Sequence, residues 1–408
     1  MTNNTIYNTI NRHLSEANTE INLDEVHISF DMLNKIFKNW CIVPVCRLYL
    51  LNDDESIRAD VSRDLISYDL SVTYQTGQRR NLNISMVNID NKWTPKFNTG
   101  LVQIGSKFRL DIGFVHNKTV YWKQMGMFLL KDPNMSRESS NQTISFSLCD
   151  KFGLFDGTLS GKTGLKDIIP VGVSMYQAFV TMVTADRGNG EPFDMKPIIF
   201  NGKYKNQMTY YTIKQDAGNT LSKIFTDLGD TISSDVYYNE YGNMCVESNV
   251  NEFINGNLPL VWHFTEDGRD KISFSTSESS SNIVNSVLVK GNIVNGYQFS
   301  ASAKNRNPLS PTCIQYRGEL FDVISDQALY SDELCRDRAQ YELLAHTRGT
   351  STANISCPFL PIFDVNQLVL IDFPTDGIEN TLYSIDTLTF NSDGNMSLSL
   401  SNINEVIF

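Results

Sequence analysis

The chain has 408 residues, of which 41% are hydrophobic and 20% are charged, and its formal net charge is −12. The length has room for roughly two to four domains, and the composition is that of a globular protein rather than a disordered one. The negative charge argues against a protein that clamps nucleic acid, because phosphate binding depends on clustered Lys and Arg.

The start of the chain shows no export signal. Met1–Thr5 lacks the charged and apolar regions of a signal peptide. No apolar run approaches the ~18–20 residues of a membrane-spanning helix, so no stable membrane insertion is predicted. Seven cysteines without a Cys-x-x-Cys pair favour buried free thiols in a reducing compartment. We therefore expect synthesis and folding in a cytosol.

Residues 1–41 are predicted to form an N-terminal arm that is partly helical. Its apolar residues fall on two stripes with helical spacing. The stripes consist of Ile6, Ile10 and Leu14, and of Met32, Leu33, Ile36 and Phe37. Such an arm would either pack on its own chain or reach a neighbouring subunit.

Residues 42–157 are predicted to form a first β-module. Between Lys107 and Asp150, apolar and polar residues alternate through three consecutive segments. The same alternation occurs in Ile66–Tyr74 and Leu82–Asn88. Period-two alternation with β-branched and aromatic residues indicates strands that bury one face. Short turns between these strands predict an antiparallel sandwich or barrel.

Residues 158–280 are predicted to be a mixed α/β middle region. One helix is expected at Met175–Val183 with Ser174 as its N-cap. A second is expected at about Ala217–Leu228, with Gly229 ending it.

Two further features are predicted near the end of the middle region. Val236–Val246 has the pattern of a hairpin that turns at Tyr241-Gly242-Asn243. Ser275–Ser281 is rich in serine and is predicted to be a linker, so we place a boundary there.

Residues 281–408 are predicted to form a second β-module. Its strands are expected at Leu368–Phe373, Leu382–Phe390 and Met396–Ser401, and a helix is expected at Ser331–His346. The overall fold class is therefore mainly β with α/β insertions (α+β).

The two β-modules share a sequence pattern. Thr143–Leu148 and Asn395–Leu400 place apolar residues at the same alternate positions, although few residues are identical. We interpret this as one β-module used twice in the chain.

Motifs for catalysis or cofactor binding are weak. Gly157–Thr163 resembles a phosphate-binding loop, but it has three residues between its glycines where that loop has four, so a flexible loop is favoured. His263 and Glu266 could share a metal ion, but no second histidine lies nearby. Among 46 acidic residues some pair could always suit a glycosidase. No catalytic, cofactor or metal residue is predicted, and the protein is expected not to be an enzyme.

Three residues are candidates for contacts between subunits or for capping a barrel. Arg79 and Arg80 lie between two predicted strands, where they would reach an acidic neighbour or lie in an exposed turn. Trp93 would cover the end of the barrel or anchor an interface.

The order of several motifs resembles that of phage tail hub proteins, the central baseplate hubs of contractile tails and the hub half of tail-associated proteins. The resemblance covers about residues 42–404. It rests on Gly77–Ile84 with Asn88–Pro95, on Met125–Leu130, on Ile168–Gly172, on Asn285–Gly291, on the helix Ser331–His346 and on Cys357–Leu360.

This resemblance implies two barrels like those of tail-tube subunits, at residues 42–157 and 281–408. In the family, strands after a helical insertion can complete the first barrel, and residues 198–213 are the candidates for that role. The N-terminal arm departs from the family pattern. The chain also stops soon after the second barrel, at Phe408, so we expect no hydrolase or receptor-binding extension.

The family further implies a homotrimer that forms a pseudo-sixfold ring. The ring would join a hexameric tail tube or distal tail protein to a threefold spike, tip or fibre protein, at the baseplate or tail tip of the virion. DNA would pass through its lumen without specific binding, and we expect the acidic excess to face that lumen. The alternative function is a β-rich tail-tip adhesin that binds host glycans through Tyr237, Tyr238 and Tyr241.

Overall fold

In the described part of the chain, β-strands are more abundant than helices, and the longest helix has 16 residues. The structure is a computed structural model. It describes residues 19–26, 28–38, 43–96, 100–137, 142–162, 164, 167–214, 216–248, 260–266, 268, 273–278, 283–308, 310–347 and 351–402. Among these residues, no helix is both long and apolar enough to span a membrane.

The first β-module follows a short arm. The elements are β1 (Thr19–Asn22), α1 (Phe30–Lys38), β2 (Val43–Leu51), β3 (Ile57–Asp60), β4 (Leu65–Thr73), β5 (Arg80–Val87), β6 (Lys107–His116), β7 (Thr119–Arg137) and β8 (Gln142–Cys149). The strands pair in the order β4-β5-β8-β7-β6-β2-β3. Alternate residues of β5 are buried, as the sequence pattern predicted.

The middle region is a small α/β unit. Its elements are β9 (Asp167–Ile169), α2 (Met175–Val183), β10 (Ile199–Asn201), β11 (Ile213–Lys214), α3 (Leu221–Thr231), β12 (Asp235–Tyr238) and β13 (Met244–Glu247). β10, β13 and β12 form one sheet, and β9 pairs with β11. The core contains several packed aromatic side chains, including Phe155, Phe179 and Phe225.

The second β-module contains an insertion. The remaining elements are β14 (Leu260–Thr265), β15 (Ser273–Glu278), β16 (Ser286–Val294), β17 (Tyr297–Lys304), α4 (Ile314–Arg317), β18 (Phe321–Ser325), α5 (Asp332–Thr347), β19 (Ser351–Pro358), β20 (Leu368–Phe373), β21 (Ile378–Asn391) and β22 (Asn395–Asn402). β17, β16 and β18 form a separate sheet, against which α5 packs through Cys335, Ala339 and Leu343. The module itself consists of β14, β15 and β19–β22.

Both modules have the same strand pairing, so the prediction of one β-module used twice is confirmed. In chain order, the strands are β2, β4, β5, β6, β7 and β8 in the first module, and β14, β15, β19, β20, β21 and β22 in the second. In each, the first strand pairs with the fourth, the fourth with the fifth, the fifth with the sixth, the sixth with the third, and the third with the second. The difference is that β2 runs antiparallel to β6, whereas β14 runs parallel to β20.

The two modules lie side by side in one continuous sheet. β21 pairs antiparallel with β4, with Leu388 opposite Val72 and Phe390 opposite Leu70. These four side chains are buried in a core that draws on both modules. In the described residues the pairing path is open, with β15 at one end and β3 at the other.

Several predicted boundaries differ from the structure. The boundary at 280/281 separates β14 and β15 from the module with which they pair. Residues 275–278 of the predicted serine-rich linker lie in β15. The sequence pattern concealed this edge strand because most of its residues are small, polar and exposed. The strands within 198–213 do not complete the first module, since β10 pairs with β13 and β11 with β9.

The predicted helices and hairpin of the middle region are present, with one correction. Ser174 caps α2, its Oγ accepting from the Gln177 N–H at 3.2 Å. Gly229 does not end α3, which continues to Thr231. A glycine is needed there because a Cβ would lie 2.7 Å from the Ser234 carbonyl oxygen. β12 and β13 form the hairpin, with Gly242 at φ +74°.

The described part of the N-terminal arm packs on its own chain. β1 pairs parallel with the start of β7. In α1, the Phe37 ring contacts Phe114 of the first module and Trp262 of the second, with ring centroids 5.3 and 6.0 Å apart. The predicted first stripe, Ile6, Ile10 and Leu14, lies outside the described residues.

Candidate functional site

Arg79 and Arg80 lie where the first module meets the middle region. They follow a turn at Gly77, whose φ is +101° and whose N–H donates to the Val236 carbonyl at 2.7 Å. Each arginine is only 3% exposed. The alternative of an exposed turn is therefore wrong.

Asp150 fixes the backbone of both arginines. Its Oδ2 accepts the N–H groups of Arg79 and Arg80 at 2.8 and 2.9 Å, and its Oδ1 accepts from Phe152 at 3.0 Å. Burial raises the pKa of Asp150 to about 6, although the three backbone donors favour the carboxylate. This buried acid therefore keeps its proton to a higher pH than an ordinary aspartate does.

The Arg79 side chain connects the first module to the middle region. Its Nη2 lies 3.2 Å from Asp235 Oδ2, and its guanidinium lies 3.4 Å from the centre of the Tyr237 ring. Asp235 Oδ1 also accepts from the hydroxyls of Thr76, at 3.0 Å, and Tyr341, at 2.8 Å. Because Tyr341 belongs to α5, this carboxylate also links the insertion to the other two regions.

Arg80 connects the first module to the middle region and to the second module. Its Nη1 donates to the Tyr238 carbonyl at 3.1 Å, and its Nη2 donates to Asp364, in the loop between β19 and β20. Glu240 lies 3.6 Å away. Burial would lower the pKa of Arg80, but Asp364 and Glu240 outweigh that effect and raise it, so the arginine is firmly charged.

Lys151 is a third buried cation, 2% exposed. Its Nζ lies 2.6 Å from Glu55 and 2.7 Å from Asp194, and donates to the Gly242 carbonyl at 3.0 Å. Lys196 binds the other oxygen of Glu55 at 2.7 Å. Burial would raise the pKa of Glu55, but these cations lower it overall.

We call this set of charges the junction cluster. It consists of Arg79, Arg80, Lys151, Lys196, Glu55, Asp150, Asp194, Asp235, Glu240 and Asp364. Its cations are engaged by acids of the same chain, and its members come from the two modules and the middle region. Removing one partner would leave a buried charge uncompensated, so the cluster favours one relative position of these regions.

Trp93 lies away from the junction cluster, 1% exposed in the main core. Its indole Nε1 donates to Asp64 Oδ2 at 3.0 Å, and its backbone N–H donates to Asn88 Oδ1 at 2.8 Å. Sequence reasoning selected Trp93, Arg79 and Arg80 together, but the structure brings only the two arginines into one site. A subunit contact by any of the three stays a prediction.

The weaker motifs do not form a chemical site in the described residues. The loop from Gly157 packs against α3, with the Gly161 carbonyl accepting the Leu221 N–H at 2.8 Å. His263 lies on β14. Across the described ranges, no group of three or more His, Cys, Asp or Glu side chains is placed to hold a metal ion.

Comparisons with known proteins show what this fold resembles. No protein-family model and no curated protein sequence matches the chain. Among solved structures, a 43 kDa tail protein of prophage MuSo2 from Shewanella oneidensis aligns with a TM-score of 0.57 and 13% identity, covering 88% of this chain and 98% of that one. A tail protein from Neisseria meningitidis MC58 aligns with a TM-score of 0.56 and 10% identity, covering 88% and 96%.

A third structure agrees with these two. The prophage tail protein gp18 from Listeria monocytogenes EGD-e aligns with a TM-score of 0.51 and 10% identity, covering 87% of this chain and 94% of that one. At these identities the likeness is one of fold. The chain therefore has the fold of phage tail proteins over most of its length, as the sequence resemblance predicted.

Proposed function

We propose that this protein is a structural hub of a phage tail, placed at the baseplate or tail tip of the virion. The observation that carries the proposal is the repeated β-module, whose two copies lie side by side in one sheet. Three chains would therefore supply six equivalent modules. The three similar tail proteins support a place in a tail.

A homotrimer of this kind would join two symmetries. Its six modules match a hexameric tail tube or a distal tail protein on one side, and its three chains match a threefold spike, tip or fibre protein on the other. The β4–β21 contact supports this arrangement, since it already joins two modules as neighbours in a ring would be joined. The junction cluster would keep each pair of modules in a fixed orientation.

DNA would pass through the lumen of the ring without specific binding. A net charge of −12 suits this role, because retention of DNA depends on neutralising its phosphates. We expect the acidic excess to face the lumen. A density map of the assembled ring with a basic lumen would contradict this part of the proposal.

The proposed role is structural rather than enzymatic, and it assigns parts to the candidate residues. Arg79 and Arg80 would act inside the chain, as the clamp between modules and middle region. Of the two roles predicted for Trp93, capping suits it better, because its indole is buried within its own chain.

The alternative of a glycan-binding adhesin has less support. It relied on Tyr237, Tyr238 and Tyr241 as an exposed aromatic platform. Tyr238 is buried, and the guanidinium of Arg79 covers the ring of Tyr237. Stacking on a sugar needs an accessible ring face, so this part of the chain suits internal packing better.

Light scattering and electron microscopy of the purified protein test the proposal. We expect a species of three times the monomer mass, with ring-shaped top views that show six similar lobes around a channel. Binding of the same purified protein to a glycan array tests the adhesin alternative. A stable monomer at high concentration that binds glycans would overturn the hub.

A further inference from the structure

One strand pairing inside the chain has a counterpart on the surface, and the two strand edges of that counterpart have no partner in the described residues. The internal junction joins the last part of β21 to β4. Because the two modules have the same topology, β21 corresponds to β7 and β4 corresponds to β15. The last part of β7 and the outer edge of β15 should therefore be two halves of a second junction.

The strand register gives the residue correspondence. Met135 pairs with Ile144 as Phe390 pairs with Met396, and in both modules a bulge precedes this stretch, between Leu130 and Asp132 in β7 and between Ile385 and Thr387 in β21. Met135 therefore corresponds to Phe390. By the same reasoning, Thr276 of β15 corresponds to Leu70 of β4, through their partners Ala353 and Leu82.

Exposure shows that these equivalents lack a strand opposite them in the described residues. At the internal junction, Phe390 and Leu70 are both 0% exposed. At the unpaired edge, Met135 is 57% exposed, and Thr276 is exposed as well. In the described residues, β8 pairs with one edge of β7 from residue 131 onward, and no strand pairs with the other.

We infer that neighbouring copies of this chain join by antiparallel pairing between β15 of one copy and the last part of β7 of the next, with Met135 opposite Thr276. The inference rests on the proposed function, and it names the surface that closes the ring. A second copy is the occupant that fits, because the internal junction shows how this module type docks on itself. An unpaired edge strand is otherwise an aggregation hazard.

Such a contact is head-to-tail, so it closes a ring when the rotation between copies fits a whole number of subunits. The register transferred from the internal junction places Pro133 opposite Glu278, Asn134 opposite Ser277, and Met135 opposite Thr276. Pro133 has no backbone N–H to donate, which suits a strand that remains unpaired until assembly.

Disulfide trapping tests the register. In the double variant Met135→Cys with Thr276→Cys, the two Cα atoms of neighbouring copies should lie about 4.5–5.5 Å apart, within disulfide range. We expect covalent dimers and closed trimers on a non-reducing gel after mild oxidation. The native cysteines among the described residues are buried apart from the half-buried Cys46, so wild-type protein gives the background.

The matched control is Asn134→Cys with Thr276→Cys, which places the two thiols on opposite faces of the sheet. Equal trapping in both double variants would overturn the register. A trimer by light scattering with no trapping in either would overturn the inference and leave the hub standing. A monomer under all conditions would contradict both.

A charge variant gives a second readout that does not depend on disulfide geometry. Met135→Lys should raise the concentration needed for half-assembly by at least about tenfold, because the new ammonium would be buried between strands. Met195→Lys, at a methionine 73% exposed on the middle region, should assemble like wild type. Circular dichroism should show both variants folded. Unchanged assembly of Met135→Lys would overturn the inference.

Discussion

The two β-modules share one scheme of strand pairing but differ in the charged contacts that fix them to the rest of the chain. In the first, β5 begins with the buried Arg80, and Asp150 follows β8. The register places Ser351 and Asn402 of the second module at the corresponding positions, and both are partly exposed. The buried charges therefore occur where the middle region docks, which shows that a repeated fold can diverge at a contact while its core pattern persists.

The modules also differ in their connections. In the first, a short turn joins β4 to β5, whereas in the second the corresponding strands β15 and β19 are separated by the inserted sheet and α5. Both insertions, the middle region and this one, meet at Asp235, which accepts from Arg79 and Tyr341. The extra regions thus brace the first module, and no described strand covers the outer edge of β15.

Among these variants, Arg80→Ala should cause the largest loss in the free energy of unfolding. It would remove the buried cation that pairs with the half-buried Asp364 and Glu240, and breaking a buried pair costs about 3–5 kcal/mol at most. The corresponding change in the second module, Ser351→Ala, should alter the free energy of unfolding by no more than about 0.5 kcal/mol. Urea unfolding measures both. Equal losses of unfolding free energy in the two variants would show that Arg80 and Ser351 contribute equally to stability, which would contradict the difference between the modules.

Leu70→Ala should cause the next largest loss in the free energy of unfolding. Leu70 is 0% exposed at the internal junction, and a buried Leu→Ala change costs about 2–5 kcal/mol. Its counterpart on the free edge, Thr276, is exposed, so Thr276→Ala should change the unfolding free energy of the monomer by about 0.5 kcal/mol or less. Chemical denaturation at a concentration below assembly checks the pair. A costly Thr276→Ala in the monomer would mean that the edge is already covered.

Asp150→Asn should change how stability depends on pH. Burial raises the pKa of Asp150 from its ordinary 3.8 to about 6. Between these values, the unfolded carboxyl is ionised while the folded one retains its proton, so its contribution to stability is present at low pH and falls as pH rises towards about 6.

The measurement is the difference in unfolding free energy between wild type and Asp150→Asn at about pH 4 and pH 7. We expect wild type to lose up to about 3 kcal/mol relative to the variant over this range, since one pKa unit corresponds to about 1.4 kcal/mol. Asn402→Ala, at the corresponding position of the second module, should give a difference that is the same at both pH values. A flat profile for Asp150→Asn would contradict the raised pKa.

The sequence predicted the repeated pattern because alternation is a local property. Thr143–Leu148 and Asn395–Leu400 form the corresponding strands β8 and β22 in matching register, as their apolar positions indicated. β15 was missed because Ser273–Glu278 contains a single aromatic residue among small and polar ones, and an edge strand that exposes both faces needs no alternation.

The junction cluster could not be predicted for a different reason. Arg80 meets Asp150, Tyr238 and Asp364 across separations of 70, 158 and 284 residues, so no spacing in the sequence links them. Adjacent arginines between strands usually lie in solvent, because burying a charge is costly unless it is paired. Only the folded chain shows that acids from two other regions supply the partners.

Ile84→Val and Ile355→Val should have the smallest effects and should match one another. The register makes these residues counterparts, opposite Phe146 and Leu398, and they are 2% and 1% exposed. Removing one buried methylene costs about 0.5–1.5 kcal/mol. If the two cores are equivalent, denaturant midpoints should shift equally and the double variant should lose the sum, because the two residues lie on strands that do not pair with each other. A loss confined to one variant would mean that the modules keep a common topology while their cores pack differently.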